Sequence, residues 1–202
     1  LMIAWFGGQE CGHALGDILT GAAEPGGRLP TTWPRSLADA PVSNVLPAQG
    51  VLPYDEGIHI GYRGWLRSKA EPAYWFGAGQ GYTTFEVSDL AVSDAARPAG
   101  HFDVAVFVRN TGARRGKHVV QVYASRPASA VDRPMRWLVG FRPVVLDPAE
   151  STRVVVSVPS RALAYWSHDG WTYEPGEFMI SVAGHAGDPG LFAPLELTVP
   201  KD

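Results

Sequence analysis

Apolar and polar residues alternate with a period of two from Thr84 onward, in short runs. This period puts successive side chains on opposite faces of a strand, so each run predicts a β-strand with one buried face. The predicted strands are Phe85–Ser88, Phe102–Val108, His118–Tyr123, Leu138–Val145, Thr152–Val158, Phe178–Val182 and Leu195–Val199. They predict two antiparallel sheets packed face to face.

Turn residues separate these runs. Asn110-Thr111-Gly112, Asp147-Pro148, Glu174-Pro175-Gly176 and Asp188-Pro189-Gly190 supply the residue types that tight turns require. About seven short strands over a little more than 100 residues are typical of an immunoglobulin-like or fibronectin type III-like β-sandwich. We therefore expect residues 82–202 to form such a domain.

The first 34 residues have a different pattern. Leu1–Phe6 is a short apolar run that predicts a buried strand of a parallel sheet. After Gly7 and Gly8, apolar residues at helical spacing predict an amphipathic helix that ends near Gly21. Leu29–Trp33 is predicted to be extended. One strand, one helix and one extended piece cannot enclose a core, so we expect residues 1–45 to be the tail of an α/β domain whose body is missing.

Residues 46–81 are predicted to form an irregular linker between these two parts. The preceding stretch from Pro34 to Gln49 shows little periodicity and is typical of a surface connector. Within the linker, Ile58 and Ile60 alternate with His59, which predicts a short strand. The predicted fold is thus mostly β, with a short α/β segment and a linker ahead of the sandwich.

A long gapped pattern near the start resembles a known family. Its residues are Trp5–Glu10, Gly12, Ala14-Leu15, Asp17–Leu19, Gly21, Pro25–Pro30 and Trp33-Pro34. They resemble the end of the second, α/β sandwich domain of glycoside hydrolase family three, the β-glucosidases and their relatives. Cys11 departs from the small residue usual at its position, but a thiol is small enough to pack there.

The resemblance continues through the rest of the chain. The segments Tyr54–Arg63 and Tyr74–Phe85 resemble the stretch that wraps between domains in that family. Further matches resemble its C-terminal fibronectin type III-like domain, at Val108–Gly112, Gly116–Tyr123, Leu138–Phe141 and Glu174–Phe178. The resemblance therefore covers nearly the whole chain.

This resemblance implies retaining hydrolysis of β-glycosides by two carboxyl groups. In the family one is an aspartate on an N-terminal barrel and the other lies on a loop of the α/β sandwich domain. It implies that both precede Leu1, that residues 1–202 hold no catalytic residue, and that the isolated chain is inactive. It implies neither a cofactor nor a metal, and the missing barrel and α/β domains would be the partners. The sugar stays open among glucose, xylose, arabinose and N-acetylglucosamine.

Composition and charge argue against several classes of partner and site. The chain is 46% apolar with a net charge of −3, which is ordinary for a globular protein. Its basic residues are scattered, so we expect no nucleic-acid partner. No apolar run approaches the roughly 20 residues of a membrane span, so we expect no membrane partner. A single cysteine excludes an internal disulfide and a thiolate zinc site but leaves the compartment open.

Several polar residues invite a catalytic interpretation. Glu10 lies where a helix N-terminus stabilises the charged carboxylate, whereas a general acid must stay protonated, so we assign it no catalytic role. Glu56, His59 and Arg63 lie close in sequence, and we interpret them as structural, with Asp55 or Glu56 paired to Arg63. The other histidines show no metal-ligand spacing: His13, His101, His118, His168 and His185.

Two further groups leave alternatives open. Arg126, Arg133 and Arg136 lie in the irregular stretch Ser125–Arg136 and either contact a ligand or belong to a solvated or seam-forming loop. The seven tryptophans either stack on sugars or pack in cores and between domains, and packing is the commoner use. If the tryptophans bind ligands, the chain has an alternative function. It would then be a non-catalytic carbohydrate- or protein-binding module in which Trp166, Trp171 and Tyr173 form an exposed face.

Overall fold

The computed structural model describes residues 2–42, 45–93 and 95–199. The helices are α1 (Cys11–Thr20) and α2 (Tyr62–Ser68), and short 3-10 turns lie at Leu37–Asp39 and Ser160–Leu163. The strands are β1 (Phe85–Val92), β2 (Ala95–Ala96), β3 (His101–Asn110), β4 (Gly116–Ser125), β5 (Trp137–Leu146), β6 (Ser151–Pro159), β7 (Tyr165–Ser167), β8 (Gly170–Thr172), β9 (Gly176–Ala183) and β10 (Leu191–Leu197). No helix in the described ranges is long and apolar enough to cross a membrane.

Two sheets face each other. One has the strand order β1-β3-β6 and the other β2-β10-β9-β4-β5, with antiparallel pairing throughout except between β2 and β10. Their inner faces are lined by valines, phenylalanines and leucines of β3, β4, β6, β9 and β10 that are almost fully buried. Alternating strands bury one face in this way because successive side chains point to opposite sides. The prediction of a mostly-β chain that contains a two-sheet β-sandwich is confirmed.

The seven predicted strands correspond to β1, β3, β4, β5, β6, β9 and β10. The last one is displaced, since β10 ends at Leu197 rather than at Val199. The structure adds the two-residue strand β2 and a separate hairpin of β7 and β8. The hairpin lies in the segment between β6 and β9, where the period-two pattern predicted no strand.

The beginning of the chain differs from its prediction. Helix α1 is present, and Gly21 ends it in the left-handed conformation with φ of +77°. The predicted strand at residues 1–6 is not formed: Leu1 lies outside the described residues, and residues 2–6 pair with no strand of the described chain. Phe6 is fully exposed. An apolar run becomes a buried strand only when neighbouring strands and covering helices are present.

Two other local predictions were wrong or only partly right. The residues around His59 form turns that lead into α2, not a strand. The extended piece Leu29–Trp33 makes a single bridge, between Trp33 and Tyr74. In α2 the buried side chain is Trp65, and this short helix is fixed by packing because isolated helices of two turns are marginal.

The segment around α1 is held to the sandwich by polar contacts. The Glu24 carboxylate accepts the Tyr82 backbone N–H at 3.0 Å, and the Tyr82 hydroxyl donates to the Ile18 carbonyl at 2.7 Å. Arg114, just before β4, donates to the Gly21 carbonyl at the end of α1 and lies over the Tyr82 ring at 5.4 Å. These contacts fix the helix beside the β3–β4 end of the sandwich.

Candidate functional site

The outer face of β4 is covered by side chains of the predicted linker, residues 46–81, in a cluster that we call the seam. The seam consists of Tyr62, Trp75 and Phe76 from the linker and Gln121 and Tyr123 from β4. The Tyr62 ring stacks on Phe76 at 4.7 Å between centroids and meets Tyr123 edge-on at 6.5 Å. Five successive residues of β4, from Val120 to Ala124, are buried, because the core covers one face and the seam covers the other.

The polar atoms of the seam bond one another. The Tyr123 hydroxyl donates to Gln121 Oε1 at 2.8 Å, and Gln121 Nε2 donates to the carbonyls of Gly77 and Gly184 at 3.0 and 2.8 Å. The Tyr62 hydroxyl accepts the Leu138 N–H at 2.9 Å. Burial, with the neighbouring Tyr62, raises the pKa of Tyr123 well above its ordinary value, so its hydroxyl stays protonated. The seam is therefore built to hold two parts of the chain together.

Gly77 is required where the linker crosses β4. Its φ is +85°, a conformation that residues with a Cβ rarely adopt. A Cβ at this position would also collide with the Gln121 amide oxygen. The close approach lets the Gly77 carbonyl accept the Gln121 hydrogen bond.

The loop between β4 and β5 turns two of its arginines inward. Arg126 and Arg133 share the Glu174 carboxylate, at 3.1 and 3.2 Å. All three side chains are at most 13% exposed. The Ala130 N–H and the Ser129 hydroxyl also donate to Glu174, at 2.7 and 2.8 Å. Burial acts to raise the pKa of Glu174, but these donors and the two guanidinium groups outweigh it and lower the pKa.

The third arginine fastens the turn between β9 and β10. Arg136 donates to the Ser181 hydroxyl at 2.6 Å, to the Ala186 and Pro189 carbonyls at 3.1 Å, and to the Asp188 carbonyl. Its guanidinium lies 4.8 Å above the Tyr123 ring of the seam. Most guanidinium donors of this loop meet acceptors within the chain, although Arg126 Nε and Arg133 Nη2 are buried without a hydrogen-bond partner. These contacts favour a structural role for the three arginines over ligand contact.

The β7–β8 hairpin presents tryptophans to the solvent. Trp166 and Trp171 are directly opposite each other in the register, with ring centroids 5.5 Å apart and planes at 85°. They are 67% and 48% exposed. Tyr173, predicted to share this face, is instead partly buried against the sandwich core. The exposed aromatic surface of this hairpin therefore consists of Trp166 and Trp171.

Comparison with known proteins agrees with this architecture. Residues 1–82 match the model of the glycosyl hydrolase family 3 C-terminal domain, and residues 118–186 match the fibronectin type III-like domain. "Probable beta-glucosidase J" of Neosartorya fischeri is 37% identical over the whole chain. The chain spans 24% of that relative's length.

Superposition on solved structures agrees with these family matches. The Beta-D-glucoside glucohydrolase of Trichoderma reesei superposes with a TM-score of 0.88 at 31% identity, over 95% of this chain and 29% of that one. Beta-glucosidase 3B of Thermotoga neapolitana superposes with a TM-score of 0.84 at 38% identity, over 93% of this chain and 27% of that one. The chain belongs to glycosyl hydrolase family 3.

In the family 3 chain Glu10 lies where we predicted it, whereas Arg63 and His59 have partners that we did not predict. Glu10 is exposed at the start of α1 and contacts His13 at 2.9 Å. The predicted pairing of Arg63 with Asp55 or Glu56 is not formed in the described structure, and Arg63 instead approaches the Ile58 carbonyl at 3.5 Å. His59 is buried and its Nε2 lies 3.1 Å from Asp132, a residue of the β4–β5 loop. Local spacing could not indicate this partner, 73 positions away.

His118 should make the stability of the folded chain depend on pH. It is half-buried on β4, 5.1 Å from the Phe85 ring, and burial together with the Arg28 charge lowers its pKa from 6.5 to about 4. The unfolded chain therefore binds the proton more readily between these values, so stability should fall as the pH drops from 6.5 towards 4. The loss has an upper limit of about 3 kcal/mol.

Urea unfolding at a series of pH values measures this effect. In His118→Gln the free energy of unfolding should change less between pH 6.5 and about 4 than it does in the unaltered chain. His168→Gln changes an exposed histidine and should leave the pH profile of the free energy of unfolding unchanged. An equally steep profile in His118→Gln would contradict the assignment.

Proposed function

We propose that this chain is the C-terminal, non-catalytic part of a retaining β-glycosidase of the β-glucosidase type. The enzyme would remove terminal non-reducing β-glycosyl units, using carboxyl groups in domains ahead of these residues. The proposal rests on one observation: relatives named as β-glucosidases align over the whole chain, yet the chain spans 24% of their length. The sugar preference would be set in those other domains.

In this proposal residues 1–45 complete an α/β sandwich domain, residues 46–81 link it to the next domain, and residues 82–202 form the β-sandwich. The seam and the arginine loop support a scaffold role, because their hydrogen-bonding groups are largely occupied within the chain. The exposed apolar residues Met2, Trp5 and Phe6 suit contact with the preceding part of the same enzyme.

Hydrolysis assays test the proposal. The 202-residue chain should not hydrolyse p-nitrophenyl β-D-glucopyranoside, whereas the longer product of the same gene should do so and release the β-anomer first, as seen by proton NMR. In that longer product, Glu10→Gln and Glu56→Gln should keep kcat within about twofold, because neither carboxylate reacts. Turnover by the 202-residue chain alone, or none by the longer product, would refute the proposal.

A further inference from the structure

The outward face of the β7–β8 hairpin is not explained by a scaffold role. Tyr165, Ser167 and Thr172 are half-buried, and the Ser167 and Thr172 hydroxyls bond each other at 2.8 Å. Between them, Trp166 and Trp171 point to the other side and remain largely exposed. A hairpin normally places polar residues on its solvent face, so two tryptophans there carry a cost in apolar exposure.

The Trp166 and Trp171 rings meet at nearly a right angle, and we call the surface between them the corner. Their planes stand at 85°, and Trp166 keeps two thirds of its surface open. An indole face offers a flat apolar platform with a negative quadrupole, which suits the slightly positive C–H groups on one face of a pyranose ring. The corner can thus stack one sugar ring while the second tryptophan borders it.

Hydrogen-bonding groups border the same corner. The Arg161 guanidinium lies 4.5 Å above the Trp171 ring and is exposed, so its N–H groups can donate to sugar hydroxyls. The hairpin turn carries His168 and Asp169, both exposed, which add a donor or acceptor and a carboxylate. A guanidinium over one ring and a carboxylate in the adjacent turn supply charges of both signs, which suits a neutral polar ligand better than an anion.

The size of the corner argues against a protein partner. Two tryptophan side chains bury about 500 Å² together at most, whereas a standard protein interface buries about 800 Å² on each side. The area matches one or two sugar rings. We propose that Trp166, Trp171 and Arg161 form an accessory binding site for a neutral β-linked gluco-oligosaccharide, separate from the site of hydrolysis. Pyranose binding follows from the corner itself, and the choice of a glucoside rests on the proposed function.

NMR titration of the ¹⁵N-labelled 202-residue chain with cellotetraose tests this site. Two of the seven indole N–H signals should shift and saturate, with a Kd of about 1 mM. Trp166→Ala should weaken binding by about tenfold, and Trp166→Phe, which keeps a ring, should retain most of it. The matched control is Trp5→Ala, because Trp5 is a similarly exposed tryptophan outside the sandwich.

Arg161→Ala gives a second variant that keeps both rings, and it should weaken binding severalfold without lowering Tm. Absence of saturable shifts would overturn the site, as would full affinity in both Trp166→Ala and Arg161→Ala, or an equal loss in Trp5→Ala. No hydrolysis enters this measurement. A failed titration therefore removes the accessory site and leaves the proposed function standing. An inactive longer product would remove the proposed function and leave only the binding of a pyranose at this site.

Discussion

Replacing Glu174 with alanine should lower the free energy of unfolding by about 3–5 kcal/mol. The substitution leaves the Arg126 and Arg133 guanidinium groups buried without their counter-charge, although both lie within 3.2 Å of the carboxylate in the native protein. It also removes the acceptor for the Ala130 N–H and the Ser129 hydroxyl. Urea unfolding at pH 7, followed by circular dichroism, measures the loss.

Glu196→Ala is the matched control, because Glu196 is exposed on β10 and should change stability by less than about 0.5 kcal/mol. Adding Arg126→Ala and Arg133→Ala to Glu174→Ala should recover part of the loss, since the uncompensated charges are removed.

The pH dependence of unfolding tests the same cluster independently. The pKa of Glu174 is lowered from 4.5 on folding, so the stabilisation should be present above that value and be lost as the pH falls through the lower, native pKa. A loss below about 1 kcal/mol in Glu174→Ala would contradict the expected destabilisation and show that solvent already screens the charges of this cluster.

Asn110→Ala should cost about 3 kcal/mol or more. Asn110 is fully buried where β3 ends, and its amide uses its complete hydrogen-bonding capacity. It donates to the Arg114 and Leu146 carbonyls at 2.7 and 3.0 Å, and it accepts from the Thr83 hydroxyl and the Gly112 N–H at 2.7 and 3.1 Å. Alanine would leave several of these groups buried without a partner.

Two variants separate this role from a loss of volume. Asn110→Asp keeps the shape and the acceptor but points an oxygen at two carbonyls, so it should destabilise as well. Thr111→Ala, beside it, removes only an exposed hydroxyl bond to Thr84 and should cost less than about 1 kcal/mol. Near-native stability of Asn110→Asp in urea unfolding would contradict the donor role.

The sandwich could be predicted because its signal is local. In β3 the side chains of Phe102, Val104, Val106 and Val108 are buried, whereas Asp103, Phe107 and Arg109 are exposed, and this period of two sets the inner face of the strand. The small Ala105 departs from the alternation, because it is also buried. The β7–β8 hairpin was missed although Asp169-Gly170 is a known turn signal, because strands of three residues give too few alternations. Helix α2 was missed for a similar reason, since its seven residues span only two turns.

The seam could not be predicted in the same way. Gln121 alternates with Val120 and Val122 as an outward residue should, and only the folded chain shows that the linker covers it. The partners of Glu174 and His59 lie 41 to 73 positions away, beyond any spacing rule. The family resemblance predicted the order of the α/β segment, the linker and the β-sandwich, but it did not predict these side-chain contacts.

The burial of β4 on both sides bears on where this chain can be cut. The sequence places the start of the sandwich near residue 82, yet Tyr62 and Phe76, upstream of that point, shield the strand's outer surface. An excised sandwich would offer Gln121 and Tyr123 to water with their partners removed. We therefore expect the smallest unit that unfolds cooperatively to include residues 62–76, so that the folding unit begins upstream of the predicted start of the β-sandwich.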